Sequence, residues 1–146
     1  MTAMAIVHFY EKPGCFNNTR QKQMLVAAGH LLIVHDLLQF PWADNRQRLR
    51  SFFADLPVPQ WFNNSAPAIK SGEIDPSTVS ETQAIEWMVA NPILIRRPLL
   101  EVEGRRRVGF DVDNIDVWLG LAEAKPAASV DLETCPKLQH AQACQP

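Results

Sequence analysis

The chain has 146 residues, of which 47% are hydrophobic and 21% charged, and its formal net charge is −2. These values are ordinary for one globular domain, and they exclude the strong basic bias with which proteins bind nucleic acids or anionic membranes. No apolar run approaches the roughly 20 residues that cross a bilayer, and the N-terminus lacks the basic segment of a signal peptide. We therefore expect a cytoplasmic protein that binds neither nucleic acid nor a membrane.

The first segment of the chain predicts a strand followed by a helix. Residues 4–10 (MAIVHFY) are β-branched, aromatic and apolar on both faces, which is typical of a strand inside a sheet. The turn sequence EKPG at 11–14 ends this strand. A helix is expected over 19–28, with Asn17 or Asn18 as its N-cap.

A second strand is expected immediately after this helix. Gly29 suits the position where a helix ends, and residues 30–38 (HLLIVHDLL) again form an apolar, β-branched run. We interpret this run as another buried strand. Two strands that flank one helix form a β-α-β unit, so they should be parallel and joined by a right-handed crossover.

Residues of about 40 to 92 predict a helical insertion in which prolines and glycines keep most helices short. One helix is expected over 45–54. Another should begin at Ser80, which can form a capping box with Gln83. The positions predicted to face inward are Leu49, Phe52, Phe53, Ile85, Met88 and Val89.

The chain then returns to β structure. Residues 99–102 and 106–108 flank Glu103-Gly104 and predict a hairpin. A last helix should follow, capped by Asp113, with Ile115, Trp118, Leu119 and Ala122 on its inner stripe. This order of elements is typical of an α/β fold with a mixed sheet. We assign residues 1–125 to one domain and 126–146, which are rich in Ala, Gln and Pro, to a flexible tail.

Cys15 is the residue best placed for chemistry. It stands between the first strand and the first helix, where backbone N–H groups and the helix dipole lower the pKa of a thiol. Lys12 and Arg20 are close in sequence and would act in the same direction. The alternative is a passive buried cysteine, the commoner fate of this residue type. We favour the reactive thiol because of the strand-to-helix position.

No second cysteine stands where a dithiol motif needs it. The position three residues after Cys15 is Asn18, so a local disulfide cannot form there. Cys15 could instead attack a substrate, form a mixed disulfide, or reach Cys135 or Cys144, which are remote in sequence. The odd total of three cysteines argues against a disulfide scaffold and for a reducing compartment. We interpret the two tail cysteines as incidental.

The remaining candidate site residues are arginines and histidines. Of Arg96 and Arg97, at most one should face the Cys15 loop, where it would bind an oxyanion or stabilise the thiolate; a surface salt bridge is the alternative. The run Arg105–Arg107 is interpreted as a solvated hairpin tip. The histidines show no metal-ligand spacing, so no metal site is expected and structural roles are assigned to His8, His30, His35 and His140.

Three segments resemble one known family, that of the arsenate reductase ArsC and Spx. They are YEKPGC at 10–15, NPILIRRPLL at 91–100 and GFD at 109–111, and the resemblance covers about residues 4–122. The version EKPGCFNNTRQK is similar to the nitrogenase-associated group of this family. The resemblance implies a thioredoxin-like fold with a helical insertion and a cis bond before Pro98.

Carried over by residue, the resemblance makes Cys15 the nucleophile that attacks arsenate and Arg97 an oxyanion-binding arginine. The other two arginine positions of the family fall near Asn63 and Gly109, and Asn18 replaces the hydroxyl or second cysteine. Loss of two of three cationic partners should cost several kcal/mol of anion binding. Efficient arsenate reduction is therefore not expected.

The residues and the resemblance leave three functions open. The leading hypothesis is a thiol-based accessory or regulatory protein of nitrogen fixation, whose partners are nitrogen-fixation proteins or a thiol reductant. The second is a glutaredoxin-coupled reductase of arsenate or another oxyanion. The third is a binding module without catalysis. No bound cofactor is expected, and glutathione and glutaredoxin are the candidate reductants.

Overall fold

The computed structural model describes residues 4–121, so Ala122, the domain boundary at 125, the tail, His140 and both tail cysteines lie outside the described residues. The strands are β1 (Ile6–Glu11), β2 (Leu31–Asp36), β3 (Leu99–Val102) and β4 (Arg105–Val108). The helices are α1 (Phe16–Ala27), α2 (Arg46–Ser51), α3 (Pro67–Lys70), α4 (Glu81–Ala90) and α5 (Val112–Leu119). Short 3₁₀ turns lie at Trp42–Asp44, Val58–Trp61, Pro76–Thr78 and Pro92–Leu94.

The four strands form one sheet in the order β2-β1-β3-β4. β1 and β2 are parallel, with Ile6 opposite Leu31, as the β-α-β pattern predicts. β3 is antiparallel to β1, with Phe9 opposite Leu100, and forms a hairpin with β4. The predicted α/β fold with a mixed sheet and a helical insertion is therefore confirmed.

Each face of the sheet has its own apolar core, because side chains alternate between the faces of a strand. On one face, Val7 and Phe9 of β1 pack in a cluster with Leu25 of α1 and Ile115 of α5. On the other face, Tyr10 joins a larger cluster built mainly by the insertion, which includes Trp42, Leu49, Phe52, Phe53, Trp61 and Met88. The insertion thus covers the face of the sheet opposite α1 and α5.

The insertion helices agree with their predicted inward residues. Leu49, Phe52 and Phe53 are all buried, although α2 itself is shorter than the predicted span of 45–54. The hydroxyl of Ser80 caps α4 by accepting the Gln83 N–H at 3.1 Å. Among residues 4–121, no helix is both long and apolar enough to cross a bilayer.

The prediction of a second buried strand is wrong. β2 lies at an edge of the sheet, and Leu31, Ile33 and Val34 are all exposed. Its apolar composition predicts a strand correctly, but burial also requires a neighbouring strand and helices over both faces. β1 has neighbours on both sides, and β2 has one.

Two of the predicted helix caps are also wrong. The N-cap of α1 is Cys15, and Asn17 and Asn18 lie buried in the first turn of the helix. The N-cap of α5 is Asp111, whose carboxylate accepts the Asn114 N–H at 3.0 Å; the predicted cap, Asp113, lies in the first turn. At α1 the N-cap residue makes no side-chain capping hydrogen bond, so a search for polar caps misses it. At α5 two aspartates, Asp111 and Asp113, could each cap the helix, and the turn before the helix decides which one does.

Candidate thiol site

Cys15 lies where the β1–α1 loop becomes α1. Its N–H donates to the carbonyl of Lys12 at 3.1 Å, and its carbonyl accepts from the N–H of Thr19 at 3.0 Å and from Thr19 Oγ1 at 3.1 Å. Gly14 allows the turn between them, because its φ is +81°. Cys15 is not in a disulfide and is buried. Its backbone is therefore fixed at the positive end of a 12-residue helix.

Asn18 holds the loop to the helix. Its Oδ1 accepts the N–H of Lys12 at 3.1 Å, and its Nδ2 donates to Gln21 Oε1 at 2.9 Å. Both Asn18 and Gln21 are buried. The residue that stands three positions after Cys15 therefore positions the loop, and it has no sulfur with which to close a disulfide.

The Arg97–Pro98 bond lies at the same end of the sheet as this loop. Tyr10 near the end of β1 is opposite Leu99 at the start of β3, so the residues that precede Leu99 lie next to those that follow Tyr10. The peptide bond between Arg97 and Pro98 is cis, as the family resemblance implies. The Pro98 carbonyl accepts the N–H of Gly109 at 2.8 Å.

Lys12 and Arg97 are buried cations at this end of the sheet, each only 9% exposed. Within residues 4–121, the side chain of neither residue makes a hydrogen bond or an ion pair. No nitrogen atom of either side chain is fully buried without a partner, so the stems are covered while the charged ends remain accessible to a ligand or a thiolate. These two side chains therefore favour an anion or a thiolate at this end of the sheet.

Arg20 has different surroundings. Its guanidinium carbon lies 5.8 Å from the centroid of the Phe16 ring, and both residues are exposed. A contact between a cation and an aromatic face at the surface is worth about 0.5–1 kcal/mol. The role of Arg20 beside the thiol stays a prediction.

The two positions where the family resemblance places further arginines have structural roles here. Asn63 Nδ2 donates to the carbonyl of Ile93 at 3.0 Å, and its Oδ1 accepts the N–H of Ser65 at 3.0 Å. Gly109 has no side chain, and its φ is +86°. Neither residue supplies a cation, so of the three arginine positions that the resemblance implies only Arg97 carries one.

A second charged cluster lies on the face of the sheet toward the insertion, and the sequence does not predict it. Glu101 pairs with Arg48 at 3.0 Å and with Arg106 at 3.3 Å. Arg106 also donates to Ser51 Oγ at 3.1 Å. The interpretation of residues 105–107 as a solvated tip is therefore wrong for Arg106, because its guanidinium contacts Glu101 and Ser51 of α2 instead of extending into solvent.

The histidines of the described chain have structural partners, as predicted. His30 Nδ1 accepts the N–H of Ala5 at 3.0 Å, and its Nε2 donates to the carbonyl of Gly120 at 2.7 Å. His8 and His35 contact each other through ring nitrogens 3.0 Å apart. Within residues 4–121 no three His, Cys, Asp or Glu side chains are grouped to hold a metal ion.

Burial shifts the pKa values of two groups, Tyr10 and His35, in the aromatic stack beside the cluster around Glu101. Desolvation, followed by the charge of Glu101, raises the pKa of the Tyr10 hydroxyl above its ordinary value. Desolvation, followed by the charge of His8, lowers the pKa of His35. The ring centroids of Tyr10 and His35 are 4.4 Å apart, so both groups belong to one packed stack.

Comparisons with known proteins agree with this fold. An arsenate reductase from Vibrio cholerae superposes with a TM-score of 0.61 at 22% identity, covering 73% of this chain and 92% of that protein. A putative ArsC family related protein from Bacteroides fragilis gives a TM-score of 0.66 at 22% identity, with coverage of 76% and 97%. Both similarities concern the fold alone.

Sequence comparison extends the match beyond the fold. A protein of Rhodospirillum rubrum, described as an uncharacterized 15.7 kDa protein in the draG 3′ region, is 47% identical over 133 residues, which is 91% of this chain and 90% of the relative. The model of the ArsC family matches residues 12–118, and these include both Cys15 and Arg97. The chain belongs to the ArsC family.

Proposed function

We propose that this protein acts through one reactive thiol, Cys15, which forms mixed disulfides in an accessory or regulatory role. The observation that carries this proposal is the pair of buried cations, Lys12 and Arg97, at the end of the sheet where Cys15 caps α1. Nearby cations and a helix N-terminus stabilise a thiolate, which is the nucleophilic form of cysteine. The thiolate in turn supplies the negative charge that two buried cations favour.

The chemistry that suits one such thiol is exchange with a disulfide. The Cys15 thiolate attacks one sulfur of glutathione disulfide, the S–S bond breaks, and a glutathione thiolate leaves with the electron pair and takes up a proton. Cys15 and one glutathione remain joined by a new S–S bond. Because Asn18 replaces a second thiol, no cysteine of the described residues resolves this mixed disulfide, and the proposed resolving thiol comes from glutathione or glutaredoxin.

The proposed biological setting is nitrogen fixation, with nitrogen-fixation proteins or a thiol reductant as partners. Two observations support it. The loop sequence EKPGCFNNTRQK is similar to that of the nitrogenase-associated group. The relative from Rhodospirillum rubrum is described by its place in the draG 3′ region, which is a hint in the same direction. Capture of partners from nitrogen-fixing cells by Cys15→Ala and wild-type protein would separate thiol-dependent partners from others.

Mild oxidation of the full chain with glutathione disulfide tests the reactive thiol. We expect mass spectrometry to find Cys15 modified faster than Cys135 and Cys144 at neutral pH. In the Cys15→Ser variant the fast phase should disappear while the slow phase is unchanged. Equal rates at the three cysteines would contradict the proposal.

A second function is favoured by the buried guanidinium of Arg97, which suits an oxyanion. In this version the protein is a glutaredoxin-coupled reductase of arsenate or another small oxyanion, with Cys15 as nucleophile. Asn63 and Gly109 supply no cation, so we expect low activity at most. A coupled NADPH assay with glutathione and glutaredoxin decides: turnover no higher than that of Cys15→Ser removes this function.

A further inference from the structure

The two edges of the sheet are protected to different degrees. β4 at one edge carries the three arginines of residues 105–107, and charges of this kind keep an edge from pairing with another chain. β2 at the other edge has the sequence LLIVHD, without lysine, arginine, proline or glycine. Leu31, Ile33 and Val34 of this edge are 53%, 41% and 47% exposed. β2 therefore has fewer of the features that normally prevent edge pairing than β4, and its one charged residue among Asp, Glu, Lys and Arg is Asp36 at its end.

The hydrogen-bonding groups of β2 alternate between the sheet and the open edge. Leu31 donates its N–H to the carbonyl of Ala5 at 2.9 Å, and Leu37 donates to that of Glu11 at 2.7 Å. Since the direction of backbone groups repeats every two residues along a strand, odd-numbered residues bond to β1. The N–H and C=O groups of Leu32 and Val34 consequently point away from β1, toward the open edge.

We propose that β2 pairs with β2 of a second copy of this chain, antiparallel and about a two-fold axis at Ile33. The two four-stranded sheets then become one continuous sheet. This surface is distinct from the thiol site, so the proposal does not depend on the reactivity of Cys15.

The sequence of β2 is self-complementary in this register. Ile33 lies opposite Ile33 of the partner copy, and Leu32 lies opposite Val34, so apolar side chains meet on both faces. The pair of Leu32 and Val34 is also the pair whose outward N–H and C=O groups can exchange hydrogen bonds. Leu31 lies opposite His35 at each end of the paired segment.

The position of the one carboxylate of β2 supports the same register. Asp36, the only Asp or Glu of β2, falls outside the five paired residues, so no carboxylate faces an apolar side chain. A register shifted to place the axis at Val34 would set Asp36 against Leu32. A contact of one strand pair buries less area than a standard interface, so the dimer should dissociate on dilution.

Analytical ultracentrifugation of the full chain over a dilution series tests the proposal. The wild type should approach twice the chain mass of 16.4 kDa at high concentration. The Ile33→Lys variant should remain monomeric, because it would place two like charges at the axis. Val117→Lys is the matched control, since Val117 is an 89% exposed apolar residue on α5, and this variant should dimerise like the wild type. A wild type that is monomeric at every concentration overturns the proposal.

Cross-linking keeps the proposal testable if Ile33→Lys does not fold. Residues opposite each other at a non-hydrogen-bonded position have Cα atoms about 4.5 Å apart, within the range of a disulfide. With the three natural cysteines replaced by serine, Ile33→Cys should therefore oxidise to a covalent dimer much faster than Val117→Cys. Equal rates overturn the register. Slow amide exchange at Leu32 and Val34, whose N–H groups point away from β1, in a monomeric wild type would show that the same chain covers the edge, and it would also overturn the proposal.

Discussion

Positive charge is concentrated in two regions of the molecule, which differ in whether the cations have carboxylate partners. On the face toward the insertion, Arg48 and Arg106 both bind Glu101, so each guanidinium has a carboxylate partner. At the end of the sheet near Cys15, Lys12 and Arg97 are more deeply buried, yet the described chain offers neither of them a carboxylate. Paired charges hold two elements together, whereas cations without a carboxylate partner leave their positive charge available to an anion or a thiolate.

The largest expected effect is on the reaction rate of Cys15, which should depend on the cations near it and not on those of the other region. Lys12→Met and Arg97→Met should each slow the reaction of Cys15 with glutathione disulfide roughly ten- to a hundredfold, because an interaction with a charged group is worth about 1.5–3 kcal/mol. Neither variant should lose much stability, since within residues 4–121 neither side chain makes a hydrogen bond or an ion pair that the substitution would break. Stopped-flow thiol kinetics and urea unfolding measure the two effects.

Arg105→Met is the control for that comparison, because it makes the same kind of change at an exposed position of β4. We expect it to leave both the rate and the stability unchanged. If Lys12→Met and Arg97→Met destabilise the fold while Cys15 keeps its wild-type rate, the two cations are structural and the contrast between the regions fails.

Asn18 should have the next largest effect, because it is the structural polar residue of the thiol region. Asn18→Ala leaves the buried N–H of Lys12 without an acceptor, which should cost about 1–3 kcal/mol of unfolding free energy. Asn114→Ala, at an exposed position of α5, should cost less than about 0.5 kcal/mol. Similar losses in the two variants would show that Asn18 does not hold the loop.

Glu101→Gln tests the region where the cations are paired. It leaves Arg48 and Arg106 without a carboxylate and should cost about 1–2 kcal/mol of stability, with no change in the reactivity of Cys15. Glu81→Gln breaks the exposed pair with Arg50 and should cost less than about 0.5 kcal/mol. A change in the rate of Cys15 on Glu101→Gln would show that the two regions are coupled.

The smallest effect concerns pH. Burial lowers the pKa of His35 in the folded protein below its ordinary value of 6.5, so the unfolded chain binds more protons in the interval between these two pKa values. Stability should therefore fall as the pH drops below about 6.5. His35→Gln removes this group and should flatten that part of the profile. A profile that is identical in wild type and His35→Gln would show that His35 does not contribute.

The sequence predicts the fold well because its signals are local. The period of the apolar residues, Gly29 and Ser80 locate strands, a helix end and a helix start, and one conspicuous loop identifies Cys15. The edge position of β2 is not predictable in this way, since it depends on which strands become its neighbours. An apolar run looks the same at an edge and in the centre of a sheet.

The sequence predicts which residues form the site, but it does not predict which of them contact one another. Lys12, Asn18 and Arg97 all stand out from the spacing around Cys15 and from the family resemblance. That Asn18 binds the Lys12 N–H depends on the turn of the β1–α1 loop. That Glu101 binds both Arg106 and Arg48 depends on the hairpin register and on the position of α2 against the sheet. Spacing along the sequence carries no information about such contacts.

The most direct test of the reactive thiol is the pKa of Cys15 itself, obtained from the pH dependence of its alkylation rate. Burial raises the pKa of a thiol and nearby cations lower it, so the measurement shows which effect is larger. We expect a pKa below the value of about 8.5 for an unperturbed cysteine, and a higher pKa when both Lys12→Met and Arg97→Met are present. A pKa at or above about 8.5 that does not change in the double variant would contradict the account.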